Sequence, residues 1–355
     1  MSIFRGDKIS VEIYGESHSK KIGVNCTGFP KLKIDLEYLN KIMERRKPSK
    51  NAYSTSRKEP DEVIFTFGVN NGSIVDDYFS AEIENKNAKS GDYNNLYGKP
   101  RPSHADYTSF TKTGNLNFSG GGKFSGRMTA PLCIAGGIAK QFLESKNIKI
   151  YAYVSQIGKV KGKSYLTSQI TEEEILSKNE NFALSCQEEM EKEIENAKLN
   201  GDSVGAILEC VVFNMPKGVG DGIFDGLESK IANLVYSIPA VKGIEFGAGF
   251  NLASMLGSQA NDSLFIENGV VKTKTNNSGG INGGISNGMP ITLRVAFRPT
   301  PSILKEQNTV DLINNENTTI VIGGRHDSCV GIRAVPVLEC AVALALLDEM
   351  LKEGK

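Results

Sequence analysis

Val204-Gly205-Ala206-Ile207-Leu208-Glu209-Cys210-Val211-Val212-Phe213 reads as a strand, and Met215-Pro216 through Gly222 turns the chain. Residues 223–238 then read as a helix, and 243–246 return as a strand. A similar order appears earlier. Residues 10–14 read as a strand, 21–27 as extended, Gly28-Phe29-Pro30 as a turn and 34–45 as a helix carrying Leu36, Leu39, Ile42 and Met43, with another strand expected over 63–69. The recurrence hints at duplicated strand-helix-strand units in an α+β architecture, although plain alternation of helices and strands explains it equally well.

The chain has 355 residues, 39% hydrophobic and 23% charged, which is enough apolar material for a substantial core. No Pro/Ser-rich linker or low-complexity tract divides it, so one domain over 1–355 is expected, with a charged, solvated helical insertion at about 172–198 that carries no chemistry. Residues 341–352 read as an amphipathic helix, with Leu344, Leu347 and Leu351 on one side and Asp348 and Glu349 among the polar residues.

Acidic and basic residues balance at 41 each, so no global field draws the chain to nucleic acid or to an anionic membrane. An anion site must therefore be a local cluster. No apolar run approaches the roughly 20 residues a bilayer requires, and the first residues lack a signal-peptide core, so a soluble cytoplasmic protein is expected. The six cysteines show no C-x-x-C spacing, which argues against a zinc site or a disulfide scaffold, and no metal is expected.

All three histidines stand in short stretches rich in Gly, Ser, Arg or Pro: Gly15-Glu16-Ser17-His18-Ser19, Arg101-Pro102-Ser103-His104-Ala105-Asp106 and Gly323-Gly324-Arg325-His326-Asp327-Ser328. Histidine transfers protons near neutral pH, and scaffolded loops are where such groups tend to lie. Ser17 and His18 are adjacent on extended chain and point to opposite faces, so they are not a nucleophile-base pair. Arginines recur beside these stretches, and a guanidinium binds phosphate and carboxylate through paired hydrogen bonds, which points to an oxyanion-rich substrate. Two glycine clusters, 119–127 and 278–288, would let backbone approach a phosphate or a flat ring. Neither has the spacing of a dinucleotide or P-loop motif.

In this order the stretches resemble the chorismate synthase family from end to end. That family carries G-E-S-H-G, R-R-R-P-G, R-P-G-H-A-D, G-G-G-R-x-S-A-R-E-T, G-D-S-x-G, A-V-K-G-[IV]-E-x-G-x-G-F, G-G-I-x-G-G-I-S-x-G and G-R-H-D-P-C-V-x-x-R-A-V-P. Here they stand at 15–19, 45–49, 101–106, 120–129, 201–205, 240–250, 279–288 and 324–336. Ser19 and Ser103 replace glycines, Lys123-Phe124 replaces Arg-Ser, Gly126-Arg127-Met128 replaces Ala-Arg-Glu, Pro239 replaces a common Asn and Arg298 replaces Lys.

The resemblance implies a β-α-β sandwich and a homotetramer. It also implies a lyase that removes phosphate from 5-enolpyruvylshikimate 3-phosphate by trans-1,4 elimination, in the shikimate pathway of aromatic amino acid biosynthesis. Reduced FMN is required without net redox change. On that resemblance His18 acts as general acid at the leaving phosphate, His104 serves the reduced flavin and Asp327 works at flavin N5, with His326 structural. Ser17, Arg46, Ser125, Arg127 and Arg325 hold substrate. Lys123, Phe124, Ser125, Pro239, Ala240, Gly283, Arg298, Pro299, Thr300, Pro301, Ser302 and Arg325 hold flavin. No module for flavin reduction is evident, so a monofunctional enzyme supplied by a separate flavin reductase is expected. Two other readings are a phosphate-ester hydrolase, marked by phosphate release without flavin, and a catalytically idle flavoprotein, marked by FMN binding without turnover.

Overall fold

Alternation along Lys21–Thr27 sets the first sheet: Ile22, Val24 and Cys26 are buried, while Lys21 and Thr27 at its ends face solvent. Its five antiparallel strands lie in the order Ser2–Arg5, Ser10–Tyr14, Lys21–Thr27, Tyr78–Glu84, Ile64–Phe67. The computed structural model describes residues 1–47, 60–85, 96–118, 120–167, 171–176, 182–323 and 326–355. Its helices are α1 (Leu36–Arg46), α2 (Asp106–Thr113), α3 (Thr129–Ser145), α4 (Glu172–Leu176), α5 (Gln187–Leu199), α6 (Leu227–Tyr236), α7 (Gly257–Ala260) and α8 (Gly331–Lys352). The second sheet is also antiparallel, in the order Val241–Phe246, Ile291–Phe297, Ala206–Phe213, Lys149–Ile157, Val160–Lys161.

The two sheets share a topology. In each, an antiparallel strand pair leads through a helix, α1 or α6, to a third strand, and a fourth strand then slots between the second and third. A long helix follows each set, α3 in the first half and α8 in the second. The duplicated strand-helix-strand pattern is thus part of a larger repeat of four strands and two helices. Helices α1, α3, α6 and α8 pack together, α3 against the first sheet and α8 against the second, giving an α+β arrangement of sheet, helices and sheet. A Cβ at Gly136 would collide with Cys340, so glycine at that position lets α3 and α8 approach closely.

The last helix departs from its expected form. It begins at Gly331 and is buried without interruption from Ala334 to Met350, because α1, α3, α6 and the second sheet surround it. Its acids have partners inside: Asp348 accepts from the backbone N–H groups of Asp7 (2.8 Å), Lys8 (2.7 Å) and Ile9 (2.9 Å), and Glu349 lies 3.5 Å from Lys230. Glu339, also buried, accepts from both terminal nitrogens of Arg45 (2.9 Å each), from Lys140 (2.7 Å) and from the Ala152 N–H (3.1 Å), tying α1, α3, α8 and the second sheet together.

The charged segment is likewise not a free appendage. Ile175, Leu184, Met190 and Ile194 are buried, the first two in a cluster with Tyr153, Tyr165, Val211 and Phe213 that covers the outer face of the second sheet. Each such side chain contributes about 1.5–3 kcal/mol of burial, so the segment acts as a cover. Residues 177–181 of the expected insertion lie outside the described residues. Two smaller shifts concern boundaries: the strand expected at 63–69 breaks at Gly68 into Ile64–Phe67 and Val69–Asn70, and the helix expected at 223–238 is α6 preceded by a single 3-10 turn, Ile223–Asp225. Five of the six cysteines are buried and Cys186 is exposed.

Candidate functional site

Loops from both halves meet over α8 in a cleft enclosing about 260 Å³. Ser17 and His18 come from the turn joining the first antiparallel pair. In that turn the Ser19 hydroxyl bonds Glu16 and Lys21 backbone groups, which ties the two sides of the loop together. The Asn85 side chain donates to the Ser19 carbonyl at 2.8 Å and accepts from Arg127 Nε at 3.0 Å, joining this loop to the next wall. Gly120 has φ +68, and a Cβ there would strike His18 Nε2, so the start of the first glycine cluster is shaped to admit the imidazole.

His104 stands on the loop before α2. Its Nδ1 lies 2.6 Å from Asp106 Oδ1 and 3.2 Å from an Arg101 nitrogen. Arginine can only donate, and the shorter contact to a carboxylate decides the tautomer: Nδ1–H donates to Asp106 and Nε2 is left for the cleft. Asp106 also accepts from Arg101 Nε (2.7 Å) and Nη2 (2.8 Å). Burial works against its ionisation, but Arg101 and His104 outweigh it and hold the carboxyl at about 2. Arg101 is completed by the Gly120 carbonyl at 2.5 Å. Ser103, in place of glycine, takes φ +57, a left-handed conformation costing a serine roughly 1–2 kcal/mol.

Arg46 ends α1, and Arg127 stands in the 3-10 turn Gly126–Met128 before α3. Both line the cleft and both pair with buried Asp61. Asp327, just before α8, pairs with Arg333 of α8, which also donates to the Arg46 carbonyl at 3.1 Å. Arg298 lies on the opposite wall, half-buried, with burial lowering its pKa and no ion pair to it among the described residues. The cleft is therefore rich in guanidinium groups, with carboxylates behind them.

Of the residues picked from sequence, Ser17, His18, Arg46, His104, Phe124, Ser125, Arg127, Pro239, Ala240, Arg298, Thr300, Pro301, Ser302 and Asp327 line this one cleft, as does His326. Lys123 and Pro299 adjoin it without lining it, and the Lys123 ammonium lies over the Phe124 ring, 5.2 Å from its centroid. Gly283 sits in an exposed hairpin turn between Ile281–Asn282 and Ile285–Ser286, outside the cleft of its own chain. Arg325 lies outside the described residues, as do Pro48, Ser49, Ser119 and Gly324 of the motifs.

Sequence reading passed over Asp61 and Asn85, gave Asp106 no role, and counted Arg333 only among the arginines that point to an oxyanion-rich substrate. Asp106 and Arg333 lay inside quoted motifs, two residues after His104 and six after Asp327, whereas Asp61 and Asn85 gave no local signal. The Gly201–Gly205 stretch acquires a task as well. Ser203 Oγ donates to the Thr300 carbonyl (2.7 Å) and the Val204 N–H to the Ser328 carbonyl (2.8 Å), which braces two cleft walls.

Residues 9–351 match the family described as Chorismate synthase. The chain belongs to that family. It is 42% identical to the chorismate synthase of Thermococcus kodakarensis, over 98% of this chain and 97% of that one. It is 44% identical to that of Pyrococcus abyssi, with the same coverage, and 42% identical to that of Methanocaldococcus jannaschii, covering 98% and 96%. A solved structure described as a crystal structure of chorismate synthase superposes with a TM-score of 0.76 at 26% identity, over 98% of this chain and 93% of that one. No helix among the described residues is long and apolar enough to cross a membrane.

Proposed function

We propose that this chain forms chorismate from 5-enolpyruvylshikimate 3-phosphate by trans-1,4 elimination of phosphate, acting as a lyase in the shikimate pathway with reduced FMN and no net redox change. The observation that carries the reading is the convergence of His18, the His104–Asp106 pair, Asp327 and the cleft arginines on one cavity. A substrate bearing a phosphate and two carboxylates matches that charge.

The residues present fit a flavin. Ser17 Oγ, Arg46 Nε and Thr300 Oγ1 are buried in the cleft wall with no hydrogen-bond partner among the described residues, capacity that a polar ligand would fill. Phe124, Pro239, Ala240 and Pro301 offer apolar surface beside Arg298 and Ser302. The chemistry that reduced FMN supplies there is electron density toward phosphate departure and acceptance of the C6 hydrogen, which a side-chain base near neutrality could not remove unaided.

The chain's own groups do the rest. His18 gives a proton to the departing phosphate. Arg46 and Arg127 hold substrate oxyanions with Ser17, and Ser125 caps the turn that carries Arg127 by accepting its N–H at 3.2 Å. His104, oriented by Asp106, and Asp327, oriented by Arg333, would serve a reduced flavin held in this cleft. Arg325 joins this set by its place in the motif.

The enzyme is monofunctional and cytoplasmic, folds as one domain over 1–355, and receives reduced flavin from a separate reductase. It assembles as a homotetramer, and Ile223, Phe224, Phe250, Leu256, Leu264 and Ile266, each more than two-thirds exposed, support burial against further copies. The deciding experiment is anaerobic turnover with reduced FMN, oxidised FMN or no flavin. Chorismate formed only with reduced FMN is the expected result. Phosphate release without flavin would mean a hydrolase, FMN binding without turnover an idle flavoprotein, and turnover on NADPH alone an enzyme that reduces its own flavin.

A further inference from the structure

Asn85 follows the strand Tyr78–Glu84, and its side-chain amide stands between the His18 loop and Arg127. The neighbours settle which way the amide points. Arg127 Nε can only donate, so the atom facing it at 3.0 Å is the amide oxygen; the Ser19 carbonyl at 2.8 Å and the Glu16 carbonyl at 3.4 Å can only accept, so the amide nitrogen faces them. The Asn85 N–H donates to the Lys20 carbonyl at 2.9 Å, one step beyond the pairing of Lys21 with Glu84, which fixes the backbone that carries the amide. Each side of this bridge has a further anchor. The Ser17 N–H donates to the Gly122 carbonyl at 3.2 Å, so His18 stands between that anchor and the Asn85 amide. Arg127 pairs through Nη1 with Asp61, and Asn85 at Nε adds a second point that fixes the plane in which the guanidinium meets an oxyanion. An amide offers donor and acceptor at a fixed separation, whereas an aspartate lacks the donor and a glutamine reaches further.

We infer that Asn85 is a positioning residue that holds the loop of His18 in register with Arg127, so that the substrate is gripped and the departing phosphate protonated in a single geometry. One rigid group thereby sets a proton donor and an anion-holding guanidinium relative to each other, although they come from loops far apart in the chain. The inference rests on the reading that His18 protonates the departing phosphate and that Arg127 holds a substrate oxyanion.

The test is a pair of double-mutant cycles in the full-length enzyme, read as anaerobic turnover with saturating reduced FMN. Asn85→Ala removes both ends of the bridge. It is expected to lower kcat about ten-fold through the His18 loop and to raise the KM for 5-enolpyruvylshikimate 3-phosphate about ten-fold through Arg127, the scale of one hydrogen bond at each end. Added to His18→Ala, the same change should move kcat by less than about three-fold while KM still rises; added to Arg127→Lys, which has no Nε, it should move KM by less than about three-fold while kcat still falls. A parent-like kcat or KM in Asn85→Ala would overturn the inference, because a bridge must serve both ends. Equal losses in all three backgrounds would overturn it too, since they mark a residue that serves only the fold. If Asn85→Ala is insoluble, Asn85→Ser, too short to span both contacts, takes its place in the cycles, and failure of both to fold also overturns the inference. Parent-like turnover in His18→Ala alone would instead refute the reading of the site, and the inference would fall with it; the single variants thus tell that failure apart from a failure at Asn85.

Discussion

Replacing Glu339 by Gln probes the junction that joins α1, α3, α8 and the second sheet. The amide keeps the shape but leaves Lys140, 4% exposed, and Arg45 without their counter-charge. Burial alone would push the Glu339 carboxyl up; Arg45 and Lys140 overcome it and hold it at about 2 against an ordinary 4.5. A displacement of that size corresponds to about 3 kcal/mol of folded-state stability at neutral pH. It lies at the lower edge of the ~3–5 kcal/mol found when one partner of a buried pair is removed. With about 2.1 cal/mol/K of unfolding entropy per residue, the melting temperature of a chain this long should fall by roughly 4–5 °C. The folded pKa lies below the unfolded one, so the contribution is complete above about pH 5 and is lost as pH falls through 4.5 toward 2; parent and variant should converge on acidification. Thermal melts at fixed protein concentration, at pH 7 and pH 4, measure both quantities. A melting temperature within about 1 °C of the parent at pH 7, or a gap that stays constant down to pH 4, would refute the argument. Lys140→Met/Glu339→Met, which removes the fully buried pair and leaves only the partly exposed Arg45 without its carboxylate, should recover part of the loss.

Asp106→Asn should lower kcat about 100-fold or more, because an amide no longer fixes the His104 tautomer; His104→Ala should do at least as much, and turnover within a few-fold of the parent under saturating reduced FMN would remove His104 from the mechanism. Asp348→Ala strands three backbone N–H groups of residues 7–9 and should cost about 3 kcal/mol, read as a melting temperature lower by roughly 4 °C. Glu349→Gln should match or exceed the parent's stability at neutral pH. Burial raises the Glu349 pKa, with Lys230 and Lys352 opposing, so its ionisation weakens the fold as pH rises through the ordinary value, and melts at pH 5 and pH 8 should show the variant's relative advantage growing with pH. A relative advantage that shrank toward pH 8 would contradict that assignment.

The cleft was legible where chemistry depends on short loops. Ser17-His18, Arg101 to Asp106 and the residues before α8 announced themselves because Gly, Ser, Arg and His crowd stretches that no sheet or helix face requires. What lay hidden were residues whose meaning is a partner distant in the chain. Asp61 is an ordinary loop acid until α1 and the turn before α3 bring two arginines to it, and Glu339 is an acid in an apolar helix until Lys140 and Arg45 arrive. The misreading of 172–198 had a local cause. Its charge masked Met190 and Ile194, whose spacing of four was the available sign of a buried stripe. The last helix could not show its full burial, because periodicity reports one packed face and α8 is enclosed by helices and a sheet.

The repeated topology also orders events at the ribosome. In each half the fourth strand enters between two strands already made, so a sheet cannot close until that strand has been synthesised. The first half can close its sheet once Tyr78–Glu84 emerges, and α3 follows directly, with Ile134, Ile138 and Leu143 needing cover. Its main helical partner, α8, is the last element of the chain. Through the synthesis of nearly two hundred residues, about ten to forty seconds at 5–20 residues per second, the face of α3 that packs on α8 waits for its final partner, while the first sheet and α1 can already cover the rest. The order of synthesis thus leaves the joining of the two halves to the arrival of one helix.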